Sequence, residues 1–347
     1  MLLFWGMVQS GFSYAVVIED LYVAEVFVTS QSSGQLNSGA RAGLTQVLIR
    51  VSGANMIQQN PVIARALRKP GDYYYQYSYQ ATDREFQIGD QLVAARILRL
   101  RFEPSAIAQL LRSAGYPVWG SNRPSILLWL ALSDEGGRRI LTESDTSELG
   151  IALSNQAKLR GLPFLYPLFD LEDELLTAEI WGAFLERIEG ASTRYNPDAI
   201  LTARIQKNKA GQWTGSWSYQ IDQQWYEFSS LAVSVEELVL DLTDILVDKL
   251  AAKYAIDSSR NLIDFRVENI TSLEDYAAVS NYLQSLTPVL DTFVTEIDGD
   301  NVLFSLKTEG RIEQLIEIIG LDESLVLMNN SLQSQKLHYR WLPKDGN

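Results

Sequence analysis

Apolar positions along this chain recur at two periods, and the changes of period divide it into three units. In the first, Leu21 to Val28 reads as a strand. Ala40, Leu44, Val47, Leu48 and Val51 then fall three or four apart, which predicts a helix capped by Ser38 and ended by Ser52-Gly53. Pro61 opens a second helix, and the tyrosines Tyr73, Tyr74, Tyr75, Tyr77 and Tyr79 follow Pro70-Gly71. Leu92, Ala94, Arg96, Leu98 and Leu100 occupy alternate positions of a strand from Gln91 to Phe102. Pro104 starts a short helix ending at Gly115. Residues 16–118 thus read as an α+β domain.

Trp119 to Pro124 is a turn-rich joint. Beyond it, Ser125 to Leu132 is continuously apolar, as in a strand buried on both faces. A helix over Ser147 to Arg160 ends at Gly161, and a strand from Phe164 to Phe169 stops at Asp170. A helix from about Glu179 to Ile188 leads into a strand from Ala199 to Gln206. Trp213, Gly215, Trp217, Tyr219 and Ile221 alternate with polar residues, which predicts a half-buried strand. Asp222-Gln223 turns it into a return strand from Trp225 to Ser230. Ser234 and Glu237 make a capping box for a long helix whose acids Glu237, Asp241, Asp244 and Asp248 form a solvated stripe. These elements make residues 119–258 a middle α/β domain.

Residues 261–347 read strand, helix, strand, strand, helix, strand, with Ser272 and Asp275 capping the first helix. That order is the ferredoxin-like unit. RNA-binding domains share it, but six Lys/Arg against fourteen Asp/Glu and no paired stacking aromatics argue against RNA here. The fold class predicted is therefore multidomain α+β: two mixed α/β modules followed by a ferredoxin-like domain.

Charge and composition narrow the function. The 347 residues carry a net charge of −14, which repels phosphate backbones and anionic head groups and leaves nucleic acid out as a partner. The absence of cysteine removes disulfides, thiolate nucleophiles and zinc–thiolate sites. His338 is the one histidine, in an alternating strand without a nucleophile elbow, so a Ser-His-Asp triad has no footing. No metal and no cofactor are expected. The first fifteen residues, MLLFWGMVQSGFSYA, are apolar and end with small residues at Ser13 and Ala15, as a signal peptide does, and Glu19-Asp20 follows. The run is shorter than the ~20 residues a spanning helix needs. Export to the periplasm with cleavage after Ala15, leaving no membrane segment, is the expectation.

Several stretches read together resemble an uncharacterised, envelope-exported proteobacterial family, the domain of unknown function 2066 family. They are Val47-Leu-Ile-Arg-Val-Ser-Gly53, Ala114-Gly-Tyr-Pro-Val-Trp-Gly120 with Arg123-Pro124, Gly161-Leu-Pro-Phe-Leu-Tyr-Pro167 with Asp170 and Asp173, Trp181-Gly182, and Ala191-Ser-Thr-Arg-Tyr195. The resemblance implies an envelope location and no established activity. The order of elements in the middle domain is also similar to small α/β envelope modules of the TolB N-terminal kind.

The candidate sites each have two readings. Asp170 and Asp173 follow a strand end, where α/β sheets place ligands. They would serve as cation ligands or as a glycosidase acid–base pair; alternatively, Asp170 caps a turn and Asp173 starts a helix. Arg123 and Arg194 sit beside Trp119 and Tyr195, to stack on them or to pair with Asp170 and hold loops in place. Trp181 belongs with these structural or binding candidates. Trp213 and Trp217 share a strand face and read as core. Five tyrosines between 73 and 79 cannot all be buried on one helix face, which points to a protein interface. The function expected is a periplasmic, non-catalytic interaction protein whose partners are envelope proteins. The alternatives are an envelope glycan hydrolase using Asp170 and Asp173, and a small-ligand carrier between the first two domains. Carboxylates approaching in an open cleft would mark the hydrolase, a closed apolar cavity the carrier, and an exposed tyrosine patch with neither the scaffold.

Overall fold

The computed structural model describes residues 16–18, 20–88, 90–134, 137–256, 260–322 and 324–343; the leader expected to end at Ala15 lies outside them. The first unit contains β1 (Val16–Val17), β2 (Val23–Val28), α1 (Ser33–Ser52), α2 (Pro61–Ala66), β3 (Tyr74–Ile88), β4 (Gln91–Phe102) and α3 (Pro104–Ser113). Strands β2, β4 and β3 form an antiparallel sheet in that order. Helix α1 lies on one face and comes close, because glycines face the sheet: a Cβ on Gly39 would stand 2.6 Å from Leu98, and one on Gly43 3.0 Å from Leu100. Its cap is Ser32, whose Oγ accepts from Gln35 N, and Ser38 lies one turn inside. The first turn projects into solvent, so the apolar stripe begins later than the helix does. Gly53, at φ 76, ends it as expected.

The middle unit runs β5 (Asn122–Arg123), β6 (Ile126–Asp134), β7 (Gly137–Ile140), α4 (Glu148–Arg160), β8 (Phe164–Leu165), α5 (Leu171–Glu174), α6 (Thr177–Gly182), α7 (Leu185–Ser192), β9 (Ala199–Lys207), β10 (Trp213–Ile221), β11 (Gln224–Ala232) and α8 (Val235–Tyr254). Its sheet has the order β11-β10-β9-β6-β7, with β8 beside β6, while β5 pairs with β1. Strand β6 is parallel to β9 and buried on both faces. Ile126, Leu128, Leu130 and Leu132 join the core with α4 and α8, and Leu127, Trp129 and Ala131 join a second one with α6 and α7. The strand expected over Phe164 to Phe169 is only two residues long. Pro167 offers no N–H to a ladder, and Phe169 turns to φ 63. The helix expected from Glu179 is two helices, broken where Ala183 takes φ 54.

The last unit contains β12 (Arg260–Glu268), α9 (Leu273–Ser285), β13 (Val289–Asp298), β14 (Asn301–Glu309), α10 (Ile312–Gly320), β15 (Leu325–Ser331) and β16 (Lys336–Trp341), in the sheet order β13-β14-β12-β16-β15. Five strands stand where four were expected, because Leu325 to Trp341 is a hairpin. Its second arm, β16, inserts beside β12 and runs parallel to it. The capping box of Ser272 and Asp275 is present.

The first unit has a core of its own, whereas one continuous core runs from β6 and α8 into the C-terminal sheet. Polar links reinforce these contacts. Gln314 donates to the Ala255 carbonyl at 2.6 Å, Val118 and Ile256 exchange backbone hydrogen bonds, and Arg112 of the first unit pairs with the buried Glu309 of the last. No helix among the described residues is long and apolar enough to cross a membrane.

Candidate functional site

The acids singled out in the sequence sit in a closed network. Asp170 is the N-cap of α5 and accepts from the amides of Glu172 and Asp173 at 3.1 and 3.2 Å. Asp173 is buried, 1% exposed, and accepts the Phe169 amide at 3.0 Å and the Tyr195 hydroxyl at 2.6 Å. Arg194 bridges the two acids, reaching Asp170 at 2.8 Å and Asp173 at 2.6 Å, and its guanidinium lies over the Tyr195 ring. The hydroxyl of Tyr195 in turn accepts from Leu168 N and Arg194. The Arg194 hydrogen bond holds the Asp170 carboxyl below the usual range. General acid–base work needs one carboxyl free to exchange a proton with a substrate. Here every acid oxygen of Asp173 is taken, and both acids share one guanidinium.

Arg123 does not join that network. It is fully buried, stacked on Trp119 at 3.8 Å, and donates to five carbonyls: Trp119, Gly120, Arg50, Arg160 and Gly161, at 2.7–3.2 Å. Arg50 closes α1, and Arg160 with Gly161 closes α4. The cation therefore sits between the negative ends of two helices, which is why it is stable without a carboxylate. Burial lowers its pKa to about 9, leaving it protonated at neutral pH.

Two further arginines, not anticipated from the sequence, complete this cluster. Arg160 donates to Gly53 O and Asn55 and pairs with Asp244, so the acidic stripe of α8 is not wholly solvated. Arg50 donates through Nη1 to the carbonyls of Asp20, Leu21 and Val23. Burial lowers the pKa of both. Their only sequence signal was a cation in the last turn before Gly53 or Gly161, which reads as an ordinary surface residue.

Above this cluster lies an open groove of about 900 Å³ between the β2 edge and α1 on one side and the end of α4 on the other. It is lined by Val23, Glu25, Phe27, Arg50, Lys158 and Leu162, among others. By bonding both Arg50 O and the end of α4, Arg123 sets the spacing of the two walls.

The tyrosine cluster lies in a strand from Tyr74 onward, not in a helix, with Tyr73 closing the turn before it. A bulge between Tyr74 and Gln76 puts Tyr74, Tyr77 and Tyr79 on one face, edge to face at 5.9 Å. Tyr75 and Tyr77 are 63% and 47% exposed. Trp181 stands apart from these sites, stacked under Arg138 at 4.1 Å. Trp213 and Trp217 are buried. His338 is paired with Glu268 at 3.1 Å. Among the described residues, no three His, Cys, Asp or Glu side chains converge as metal ligands.

Residues 15–120 match the family model described as "Domain of unknown function (DUF8605)". This corrects the resemblance drawn from the motifs: the match is to a different domain of unknown function, and it covers the first unit only. No curated protein matches the chain. Similar solved structures include two of Kluyveromyces lactis allophanate hydrolase, each over 80% of this chain and 67% of that one. A serine-to-alanine variant gives 7% identity and a TM-score of 0.18, and the selenomethionine-substituted enzyme 8% and 0.17. Scores of that size transfer neither fold nor chemistry to this chain, and the matched family carries no described activity.

Proposed function

We propose that this chain is an exported, non-catalytic interaction protein of the Gram-negative cell envelope, working in the periplasm and docking an envelope protein through its first unit. The observation that carries this reading is β3. It is 15 residues long, pairs among the described residues with a strand on one side only, and presents Tyr75 and Tyr77 to solvent. An unpaired edge with exposed tyrosines offers backbone partners and large apolar area together. Charge supports the same choice of face. Residues 15–120 hold ten Lys/Arg against eight Asp/Glu, so the acidity of the chain, 19 Lys/Arg against 35 Asp/Glu, lies downstream of them. The hydrolase reading loses support because Asp170 and Asp173 are tied up by Arg194 and Tyr195. The apolar leader, with the family match beginning at residue 15, supports export. We further take residues 16–118, 119–258 and 261–347 as the domains, the last a ferredoxin-like module with one added strand.

The test is site-specific photo-crosslinking in growing cells, with a photoreactive phenylalanine at Tyr75 or Tyr77 and, as a control, at the exposed Asp241. A discrete adduct from both tyrosine positions and none from Asp241 is the expected result. No adduct, or the same adducts from Asp241, would refute it. N-terminal sequencing of the mature chain checks cleavage after Ala15.

A further inference from the structure

We propose that the groove beside β2 is a second recognition site, one that takes an extended segment of a partner protein by strand addition and selects one carrying an acidic side chain. Backbone direction is the first argument. Phe102 N donates to Tyr22 O, and the β2–β4 register pairs Ala24 with Leu100 and Val26 with Leu98. Alternation along the strand then turns the N–H and C=O groups of Glu25 and Phe27 away from β4 and toward the groove. Among the described residues, no strand pairs on that side. An edge of this kind receives a peptide strand through main-chain hydrogen bonds. Here the facing wall, formed by the end of α4 with Leu162 and Pro163, makes a slot of the edge.

Charge is the second argument. Arg50, Arg84 and Lys158 line the groove, and none of them forms a salt bridge among the described residues. The acids on the same lining, Asp20 and Glu25, are already paired with Arg99 at 3.1 and 3.2 Å. Arg50 is 8% exposed and spends its Nη1 on carbonyls, while its Nε has no hydrogen-bond partner among the described residues. Asp20 acts on Arg50 through space but is itself paired with Arg99, so the lining carries more positive charge than its own carboxylates offset, and an acidic residue in the added strand would balance it. Arg123 underneath holds both walls in place before any ligand arrives, which reduces the ordering cost of binding. The site is distinct from the exposed tyrosines, since β2 and β3 are opposite edges of one sheet, although Arg84 from the far end of β3 reaches across to lie over Phe27 in the groove.

The probe is a fluorescent, doubly capped hexapeptide Thr-Val-Glu-Val-Thr-Val, titrated against the full chain and followed by anisotropy. Three comparisons accompany it: glutamine in place of the glutamate, N-methylation of alternate amides, and the protein variants Lys158→Glu and Tyr77→Ser. Saturable binding should be abolished by N-methylation. It should weaken about fivefold with glutamine or with Lys158→Glu, and stay unchanged in Tyr77→Ser. Hydrogen exchange at Glu25 and Phe27 should slow on binding. Absence of saturable binding, equal binding of the N-methylated peptide, or slowed exchange at β3 instead of β2 would overturn the proposal. An effect of Tyr77→Ser would assign the binding to the other edge.

Discussion

At the scale of single residues, the two acids differ although three positions separate them. Asp173 has 1% exposure and contacts with Arg194, Tyr195 and Phe169 N, whereas Asp170 caps a helix end in contact with water. Asp173→Asn leaves Arg194 and the Tyr195 hydroxyl with a poorer partner in a buried place, at a cost of about 3 kcal/mol. Asp170→Asn keeps a capping side chain and should lose far less. Thermal unfolding of the two variants should show a drop of several degrees for Asp173→Asn and a smaller one for Asp170→Asn. Equal melting temperatures would mean that the network does not hold this segment together. The pairing of Asp170 with Arg194 was legible because both residues sit at junctions beside turn formers. The burial of Asp173 was not, since burial depends on Tyr195 folding over it from 22 residues away. For the same reason Arg50 and Arg160 were overlooked: each is unremarkable on its own helix, and only the packing of α1 against α4 makes them a cluster.

At the scale of elements, local chemistry decided boundaries wherever a residue had one dominant preference. Gly53 and Gly161 take left-handed backbone and end α1 and α4, Asn60 caps α2 ahead of Pro61, and Ser272 with Asp275 closes a capping box. The β10–β11 turn gives a measurable case. Asp222 and Gln223 both have positive φ, 54° and 61°, the two-residue geometry that favours Asn-Gly or Asp-Gly. Glutamine is strained there, so Gln223→Gly should stabilise the protein by about 0.5–1 kcal/mol. Urea unfolding should move to a higher midpoint with an unchanged slope. An unchanged or lower midpoint would show that the strain is negligible or that added freedom in the unfolded chain outweighs it. Where local preference is weak, composition alone does not set the element. Phe164 to Phe169 has a strand's composition, yet Pro167 and the left-handed Phe169 leave it two residues of ladder.

At the scale of the whole molecule, three sequence units fold around two large cores rather than three. Ile312, Leu315 and Ile319 of α10 belong to the same buried cluster as Leu242, Leu246 and Leu250 of α8. A fragment that begins at Arg260 would expose that helix face, whereas one that begins at Ser234 keeps α8 in place. The longer fragment should unfold cooperatively and melt at least several degrees above the shorter one. If the shorter fragment is equally stable, the shared core contributes nothing to the last unit. What the sequence determined by itself was whatever is written in neighbouring residues. This covers the period of each helix and strand, the capping and turn residues, the doubly buried strand after Pro124, and the exclusion of thiolate chemistry. The tertiary structure alone decided the rest, because it concerns residues far apart in the chain. It inserted β16 beside β12, parallel to it. It stacked Arg123 between two helix ends, and it left the edges of β2 and β3 without a strand partner among the described residues. Hydrogen-bond ladders and buried charges are satisfied in three dimensions, and a one-dimensional pattern does not specify which distant carbonyl will meet which donor.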